Sequence, residues 1–371
     1  MEMNSKKRVL VVGAKFGEVY LNSFFNEQPG FELCGLMAKG SPRAYQLAKA
    51  FGIPLYTSLG QLPDAFDVAC VVVRSTVVGG SGTYLAESLL RRGMHVVQEH
   101  PVHPTDIETL QTFASSLGLV YWVNSLYSNT LAGRRWIYTA RAIRAELDGM
   151  PASFAHLITS RQLLYSSLDL LLQGLVAERI DVEVRSAGTK GVFDEIHIST
   201  TGPHVSVNLQ NYIDAADHDQ HSLVMHHCQL GWPSGYLTLA ASFGPVIWVP
   251  TFFDKDHLSE AHSMYNRTLQ VEGARFLCPT AATLYPAPAD WRTVFERSAP
   301  EAISYVFRLL SLHLKGKETS LGFQSSHQLA VARLWQQVLR CVGSPQQRDL
   351  KPPIFIDPQR IVDRSLTGVS S

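Results

Sequence analysis

The sequence has little cysteine: five residues in 371, far apart along the chain and without a Cys-x-x-Cys pair. This scarcity argues against a disulfide framework, a redox dithiol motif and a cysteine-based zinc site. We therefore expect separate, buried thiols in a protein of a reducing compartment. The five positions are Cys34, Cys70, Cys228, Cys278 and Cys341.

The chain also lacks an excess of either charge and a long hydrophobic run. Lysine and arginine total 32, and aspartate and glutamate also total 32, so no basic face for a nucleic acid is indicated. No apolar stretch approaches the ~20 residues of a membrane helix, and the first residues lack the apolar core of a signal peptide. These absences predict a cytoplasmic protein that binds neither nucleic acid nor membrane.

The first third of the chain alternates buried-type strands with helices, beginning with a strand at residues 9–12 and a helix at 18–27. This alternation predicts an α/β fold with an N-terminal Rossmann-type, doubly wound parallel sheet over residues 1–125. Residues 126–343 contain two helices, at 134–146 and 169–177, and then several strands of alternating polarity. They predict a C-terminal α+β substrate and dimerisation domain with a largely antiparallel open sheet, followed by an extended tail at 344–371.

A glycine turn separates the first strand from the first helix. Gly13 fills the first position of the dinucleotide fingerprint, but Lys15 occupies the second, and Gly17 comes one place before the third. The strand-turn-helix context favours a pyrophosphate-binding turn over an ordinary tight turn, which is the alternative. The residues expected to contact the cofactor here are Gly13, Ala14, Lys15, Phe16 and Gly17.

The segment after the second strand has no acid where NAD-specific folds place one for the ribose hydroxyl. Lys39, Ser41 and Arg43 can instead hold a 2′-phosphate through charge-assisted hydrogen bonds. We therefore predict NADPH as the cofactor, with a solvated basic loop as the alternative. Arg74, after a later strand, is assigned to the same cofactor site.

Another buried strand ends at Glu99, His100 and Pro101, at the sheet edge where ligands of open α/β folds bind. We assign Glu99 and Pro101 to the cofactor site. His100 brings a titratable side chain beside that site. The two segments together predict a nucleotide cofactor next to a proton-transferring group.

One cluster of acids and histidines, at residues 217–221 and followed by His226 and His227, invites a metal assignment. Its spacing matches no zinc site. Neighbouring residues of a strand face opposite sides, so His226 and His227 cannot point at one ion. We predict no metal site.

Residues 93–101 resemble the Gly-Lys-His-Val-x-x-Glu-Lys-Pro motif of the Gfo/Idh/MocA oxidoreductases, with His100 in place of the second lysine. The second motif of that family, Asp-x-x-x-His, is similar to residues 169–173, where Gln173 replaces the histidine. The resemblance implies that Asp169 and Gln173 bind substrate. Both usual proton-handling positions are altered, which argues against the usual oxidation of a sugar hydroxyl.

Residues 11–17 and 324–330 resemble one branch of that family, the thiazolinyl imide reductases of siderophore biosynthesis. The resemblance extends from Arg8 to about Gly343. It implies NADPH-dependent reduction of a thiazoline C=N bond to a thiazolidine, as in yersiniabactin- or pyochelin-type pathways. It also implies a substrate tethered to a carrier-protein domain of a nonribosomal peptide synthetase, and a homodimeric enzyme.

Hydride delivery to an imine carbon leaves the nitrogen in need of a proton, so this chemistry requires a general acid. His100 is the first candidate, because histidine, with a reference pKa of ~6.5, gives up a proton near neutrality more readily than lysine. Tyr127, which follows the last strand of the first domain, is the second candidate. A strand cap for His100 and a packed ring for Tyr127 are the structural alternatives.

Two other functions remain compatible with the sequence: a sugar or polyol dehydrogenase of the same fold, and an NADP-binding regulator without catalysis. The replaced lysine and histidine argue against the dehydrogenase. The arginine pairs at 91–92 and 134–135 can attract an acidic carrier protein, although surface arginines without such a role are more common.

Overall fold

The computed structural model describes residues 6–175, 183–200, 202–214, 216, 222–252 and 279–367. Its first sheet has six strands: β1 (Lys7–Val12), β2 (Phe31–Met37), β3 (Leu55–Tyr56), β4 (Val68–Val71), β5 (His95–Glu99) and β6 (Tyr121–Asn124). All pair in parallel, in the order β3-β2-β1-β4-β5-β6. This is the predicted Rossmann-type sheet, and its strand order reverses between β1 and β4.

Four helices connect these strands: α1 (Gly17–Asn22), α2 (Pro42–Phe51), α3 (Gly82–Arg91) and α4 (Pro104–Ser116). Val9, Leu10 and Val11 of β1 are completely buried, as expected of a central parallel strand covered on both faces. The helix predicted at 18–27 is shorter than expected. It stops at Asn22, continues as a 3₁₀ turn, and ends where Asn26 is extended (φ −101°, ψ 148°).

The second sheet has eight strands: β7 (Phe154–Ser160), β8 (Glu183–Lys190), β9 (Phe193–Ser199), β10 (His204–Gln210), β12 (His226–Trp232), β13 (Gly235–Leu239), β14 (Val246–Pro250) and β15 (Ala282–Tyr285). Their order is β15-β14-β13-β12-β7-β10-β9-β8, and all neighbours are antiparallel except β7 and β10. The largely antiparallel sheet is therefore confirmed. Trp232 pairs with Gly235 across a two-residue turn of Pro233 and Ser234.

The helices of this part are α5 (Leu126–Asn129), α6 (Leu131–Glu146), α7 (Leu164–Leu175), α8 (Trp291–Thr293), α9 (Ala299–Leu314) and α10 (Ser325–Val342). α7 begins five residues before the helix predicted at 169–177 and is buried along nearly its whole length. It packs against β7 and β12 on one side and α10 on the other. No helix in the described ranges is long and apolar enough to cross a bilayer.

The two long C-terminal helices return to the first sheet. Phe307 of α9 contacts Phe24 and Phe31 with ring centroids 5.2 and 5.1 Å apart. Gln328 of α10 donates to the carbonyl of Val123 in β6 at 2.9 Å and accepts from its N–H at 3.3 Å. These helices join the two sheets into one continuous core.

The tail contains more structure than the extended conformation predicted for residues 344–371. A short strand, β16 (Gln346–Gln347), pairs with β11 (Tyr212–Ile213), and a helix, α11 (Pro358–Thr367), follows. Asp357 accepts from the backbone N–H of Gln359 at 2.9 Å, and Pro358 stands in the first turn, where proline favours a helix. The prediction of a wholly extended tail was therefore wrong for the helix over Pro358–Thr367 and for the short strand at Gln346–Gln347.

Candidate active site

The turn after β1 lies beside β4, at the point where the strand order of the first sheet reverses. Gly13 has φ +115°, and a Cβ there would lie 2.4 Å from the carbonyl oxygen of Val72. Glycine is thus required by both the backbone conformation and the close approach. Lys15 and Phe16 are exposed at this turn, while Gly17 starts α1. In open α/β sheets this crevice is where a dinucleotide binds.

The three residues after β2 that were predicted to hold a 2′-phosphate make different contacts in the structure. The Ser41 hydroxyl accepts from the N–H of Ala44 at 3.3 Å and caps α2. The Arg43 guanidinium forms an ion pair with Glu18 of α1. Lys39 is exposed and has no ion pair among the described residues. Lysine and arginine at the end of β2 are the donors that a 2′-phosphate requires, but a phosphate has to compete with Glu18 for Arg43.

The loops after β4 and β5 contact each other. The Ser75 hydroxyl donates to the carbonyl of Pro101, which follows a cis peptide bond from His100. Arg74 is exposed, and the loop folds tightly back on it: a Cβ at Gly80 would lie 1.8 Å from the Arg74 carbonyl oxygen. Arg74 and Pro101, both predicted in the cofactor site, therefore lie on joined loops at the carboxyl edge of the sheet.

Glu99 and His100 form a buried pair at the end of β5. The Glu99 carboxylate accepts from His100 Nδ1 at 2.9 Å, from Asn124 Nδ2 at 3.2 Å, and from the Tyr20 hydroxyl. His100 Nδ1 also lies 3.2 Å from the Asn124 carbonyl oxygen, so both neighbours are acceptors and Nδ1 carries the proton. Nε2 has no hydrogen-bond partner in the described part of the chain, and it can therefore exchange a proton with a ligand.

Tyr20 is the fixed donor to this carboxylate. Burial, and next the negative charge of Glu99, raise the pKa of Tyr20 well above its ordinary value. Tyr20 therefore keeps its proton and donates to Glu99 throughout the working pH range. Sequence reasoning assigned Glu99 to the cofactor, whereas its contacts in the structure are with His100, Asn124 and Tyr20.

Tyr127 is the second residue of α5, and its side chain is buried, with 8% of the residue exposed. Its ring packs on the His226 ring with centroids 4.2 Å apart and on Phe243 at 5.8 Å. Burial and the charge of Glu99 raise the pKa of Tyr127. Its hydroxyl has no hydrogen bond to the described residues, so it can bind a ligand but ionises with difficulty.

His226 was considered in the sequence only as a metal ligand, and the structure places it against Tyr127. Its Nε2 lies 2.8 Å from the Ser166 hydroxyl, which itself donates to a backbone carbonyl, and its Nδ1 lies 2.9 Å from the Ser242 hydroxyl. Burial and the proximity of His100 lower the pKa of His226 to about 3. The ring is therefore neutral. His227 faces the other side of the strand, as predicted, and contacts His156 instead.

Asp169 and Gln173 share a buried face of α7, as their spacing predicts. Gln173 Nε2 donates to both carboxylate oxygens of Asp169, at 3.1 and 3.2 Å. His327 of α10 also donates to Asp169, through Nε2 at 2.6 Å. Burial alone would raise the pKa of Asp169, but hydrogen bonds from His327, Ser128 and Gln173 outweigh it and lower this pKa.

Sequence reasoning missed His327. It fell within residues 324–330, which carried the family resemblance, yet no local pattern connected it to Asp169, 158 positions earlier. The structure thus supplies a histidine to Asp169 from α10, although the family's histidine position is Gln173. Tyr165, one turn before Asp169, connects this pair to His100, with ring centroids 5.3 Å apart.

The arginine pairs at 91–92 and 134–135 do not form free basic patches. Three of the four side chains have acidic partners, and Arg134 is 13% exposed. The partners are Glu87 for Arg91, Asp64 for Arg92 and Glu301 for Arg134. Of these arginines, Arg135 alone is without a partner within the described residues, so the adjacent pairs as such offer little free charge for docking.

No group of three or more histidine, cysteine, aspartate or glutamate side chains is arranged for a metal among the described residues. Residues 217–221, part of the cluster considered in the sequence, lie outside those residues. His226 and His227 face opposite sides of β12. His226 is instead committed to two serine hydroxyls.

Comparison with known proteins matches two separate regions of the chain to family models. Residues 7–125 match the model of the oxidoreductase family with an NAD-binding Rossmann fold, and residues 150–249 match the C-terminal domain of thiazolinyl imine reductases of the Irp3-like type. No curated protein matches the chain in sequence.

Several solved structures share the fold at low identity. UDP-N-acetylglucosamine 3-dehydrogenase from Acidithiobacillus ferrooxidans is 13% identical, with a TM-score of 0.62 over 91% of this chain and 97% of that one. An oxidoreductase from Agrobacterium radiobacter, solved with NAD⁺, L-tartaric acid and magnesium, is 12% identical, with a TM-score of 0.64 over 91% and 96%. Residues 7–125 therefore carry the Rossmann domain of the Gfo/Idh/MocA oxidoreductases, and residues 150–249 carry an Irp3-like C-terminal domain.

Proposed function

We propose that this protein reduces the C=N bond of a thiazoline ring to a thiazolidine, on a siderophore intermediate tethered to a carrier protein, with NADPH as the reductant. The observation that carries the proposal is the Glu99–His100 pair, which presents an unpartnered imidazole nitrogen at the cofactor edge of the sheet. The match of residues 150–249 to Irp3-like thiazolinyl imine reductases supports the substrate class.

A nicotinamide cofactor held by the turn after β1 and the loops after β2 and β5 would supply the hydride for the imine carbon, and the ring nitrogen would then require one proton. In this proposal His100 donates that proton from Nε2, because Nδ1 is held by the Glu99 carboxylate and Nε2 is the ring nitrogen left for the substrate. Tyr127 orients the ring through its unpartnered hydroxyl. Its raised pKa makes it a poor proton donor, since the tyrosinate would be left beside the negative charge of Glu99.

The site provides two features suited to imine reduction rather than alcohol oxidation. A protonated imidazole is an acid, whereas alcohol oxidation needs a base to remove the hydroxyl proton. Gln173, at the family's histidine position, binds Asp169 and cannot take up a proton near neutrality. Together these residues favour delivery of a proton to the substrate.

The decisive experiment follows NADPH absorbance with an aryl-thiazoline thioester, and in parallel offers a sugar with NADP⁺. NADPH consumption with a two-hydrogen mass gain in the thiazoline is expected. Activity with the sugar alone would instead indicate a conventional sugar dehydrogenase. No activity in either assay, together with tight NADPH binding, would favour a regulator without catalysis.

A sugar or polyol dehydrogenase remains the second candidate because of one observation. His327 lies 2.6 Å from Asp169 in the wall shared with Gln173, so a histidine–carboxylate pair of the kind that serves as a base is present. Both residues are buried, and Gln173 donates to both carboxylate oxygens of Asp169. These contacts argue against direct contact of the pair with a sugar.

The cofactor preference is proposed from Lys39, Ser41 and Arg43. We expect the KM for NADPH to lie below that for NADH, and Arg43→Ala to raise the KM for NADPH without changing that for NADH. Glu18→Gln, which releases Arg43 from its ion pair, should strengthen the preference for NADPH. An equal or lower KM for NADH in the wild type contradicts this assignment.

The partner, assembly and location are proposed with the function. A carrier-protein domain of a nonribosomal peptide synthetase would present the substrate, two copies of the chain would form a homodimer, and the reaction would take place in the cytoplasm. These proposals rest on the family resemblance. Sedimentation and carrier-binding measurements test them directly.

A further inference from the structure

The Tyr20 side chain connects the first helix to the Glu99–His100 pair. Tyr20 lies in α1, the helix that begins at Gly17 directly after the glycine turn, and it is completely buried. Its hydroxyl donates to Oε2 of Glu99 at the end of β5. One side chain thus joins the element that follows the candidate cofactor turn to the pair that is proposed to supply the proton.

The two oxygens of the Glu99 carboxylate have different partners. Oε1 accepts from His100 Nδ1 at 2.9 Å. Oε2 accepts from the Tyr20 hydroxyl and, at 3.2 Å, from Asn124 Nδ2. Hydrogen bonds to a carboxylate stabilise its charged form. The donors on Oε2 therefore determine how strongly the carboxylate attracts a positively charged His100 through Oε1.

Asn124 of β6 supports the tyrosine as well as the carboxylate. Its Nδ2 donates to the Tyr20 hydroxyl oxygen at 2.6 Å, and its Oδ1 accepts from Asn129 Nδ2 at 3.1 Å. Hydrogen bonds in a chain polarise one another, so a hydroxyl that accepts one bond is a stronger donor in the next. Asn129, Asn124 and Tyr20 form such a chain of neutral groups, and it ends on Glu99. Asn124 and Tyr20 are completely buried, which keeps water from replacing these contacts.

The other titratable side chains near the pair carry no charge close to neutral pH. Burial raises the pKa of Cys70, Tyr127 and Tyr165. Burial lowers the pKa of His226 to about 3. These four groups lie on β4, α5, α7 and β12, and no lysine or arginine in the described ranges forms an ion pair with Glu99. Neutral hydrogen-bond donors, rather than a second charge, therefore balance this carboxylate.

We propose that Tyr20 is a positioning residue that sets the pH at which His100 gives up its proton. Its hydroxyl stabilises the Glu99 carboxylate from the side opposite the imidazole, so that the pair releases its last proton more readily, and Asn124 strengthens this hydroxyl. On transfer the Nε2–H bond of His100 breaks, and the neutral ring keeps its other proton on Nδ1, facing Glu99. The inference rests on the proposed function, in which His100 is the acid.

Tyr20→Phe tests the proposal, because it removes the hydroxyl and keeps the buried ring. Without this donor the carboxylate attracts a proton more strongly, and the pair holds its last proton to a higher pH, whichever of the two residues carries it. An acid has to be protonated to act, so kcat falls on the alkaline side of the pH profile. We expect that fall to occur about one pH unit higher in Tyr20→Phe than in the wild type. Rates of NADPH oxidation from about pH 6 to 10 measure it.

Tyr121→Phe is the matched control. Tyr121 is 3% exposed and lies in the same sheet, but its hydroxyl donates to Gln98 at 2.8 Å instead of Glu99. This variant should leave the alkaline fall of kcat where it is in the wild type. Asn124→Ala should move the fall in the same direction as Tyr20→Phe but less far, because the tyrosine hydroxyl remains.

The pH profile distinguishes this role from a merely structural one. A Tyr20→Phe variant whose kcat drops by the same factor at every pH has lost only packing, and that result would overturn the proposal. An equal movement of the alkaline fall in Tyr121→Phe would also overturn it. If Tyr20→Phe does not fold, Asn124→Ala decides the question in the same assay, and an unmoved profile there counts against the proposal.

A measurement without substrate separates this inference from the proposed reaction. NMR of protein labelled in its histidine rings follows the titration of His100, and the signal is identified by its absence in His100→Asn. We expect its midpoint to lie about one pH unit higher in Tyr20→Phe and to be unchanged in Tyr121→Phe. If the midpoint moves but no thiazoline is reduced, the proposed reaction fails and the role of Tyr20 stands. If the thiazoline is reduced but the midpoint does not move, the reaction stands and the role of Tyr20 is overturned.

Discussion

At the scale of single residues, the hydrogen bonds of Glu99 decide what His100 can do. The carboxylate fixes Nδ1 as the protonated nitrogen and leaves Nε2 toward the ligand. We expect His100→Asn to lower kcat by about 10²–10⁴-fold, because an amide N–H can donate the same contacts to Glu99 and the Asn124 carbonyl but cannot transfer a proton. The KM for NADPH should change little. Steady-state rates of NADPH oxidation across neutral pH measure both.

Two variants serve as controls for His100→Asn. His204→Asn alters an exposed histidine of β10 and should retain wild-type kcat. Tyr127→Phe removes the hydroxyl assigned to substrate orientation, so its main effect should be on the KM of the thiazoline. A kcat near the wild-type value in His100→Asn, together with a large loss in Tyr127→Phe, would assign proton donation to Tyr127.

His226 predicts a dependence of stability on pH. Its pKa is about 3 in the folded protein and ~6.5 in an unfolded chain, so between these values only the unfolded state binds the proton. The free energy of unfolding should therefore rise with pH across this window, by up to ~1.4 kcal/mol per pH unit, and fall as the solution is acidified.

His226→Gln should reduce this slope, because glutamine can contact Ser166 and Ser242 but does not titrate. Urea unfolding at several pH values from about 4 to 7 measures the effect, with His204→Gln as an exposed control. An unchanged slope in His226→Gln would show that other groups cause the acid sensitivity.

At the scale of elements, the turn between β1 and α1 requires glycine at position 13 for two reasons: its backbone conformation and the lack of space for a Cβ atom. We expect Gly13→Ala to lower the free energy of unfolding by about 3 kcal/mol or more, since a Cβ would meet the Val72 carbonyl oxygen at 2.4 Å in a backbone at φ +115°. NADPH affinity should fall with it. Urea unfolding and fluorescence titration with NADPH measure the two quantities.

Gly52→Ala separates the two causes. Gly52 caps α2 at φ +64° with no atom within 4 Å of a Cβ, so its substitution costs the backbone conformation alone, about 1 kcal/mol. A similar loss in both variants would remove the contact with Val72 from the explanation.

Helices and strands were predictable where the pattern that specifies them lies within a few neighbouring residues. β1 (Lys7–Val12) contains the strand predicted at residues 9–12, because a strand covered on both faces is apolar at nearly every position. The end of α1 and the helix in the tail were not predicted. The tail helix begins beside the contact of Asp357 with Gln359, and α1 passes into a 3₁₀ turn at Ser23; hydrophobic periodicity records neither feature.

At the scale of the whole molecule, Gln328 holds α10 to the edge of the first sheet. Its amide satisfies both backbone groups of Val123 in β6. We expect Gln328→Leu to lower the free energy of unfolding by about 2–4 kcal/mol, because two buried backbone groups lose their partners. Gln359→Leu, on the exposed helix α11, should change it little. Denaturant unfolding followed by tryptophan fluorescence tests this, and equal stability of the two variants would contradict it.

The sequence by itself determined the strand-turn-helix unit at Gly13, the strand that ends in Glu99 and His100, and the shared face of Asp169 and Gln173. Each follows from backbone conformation or side-chain period within a few residues. The tertiary structure alone decided that His327 would pair with Asp169 and that His226 would pack on Tyr127. Such contacts join segments far apart in the chain, and they form because packing the two sheets around α7 and α10 buries polar side chains that need hydrogen-bond partners.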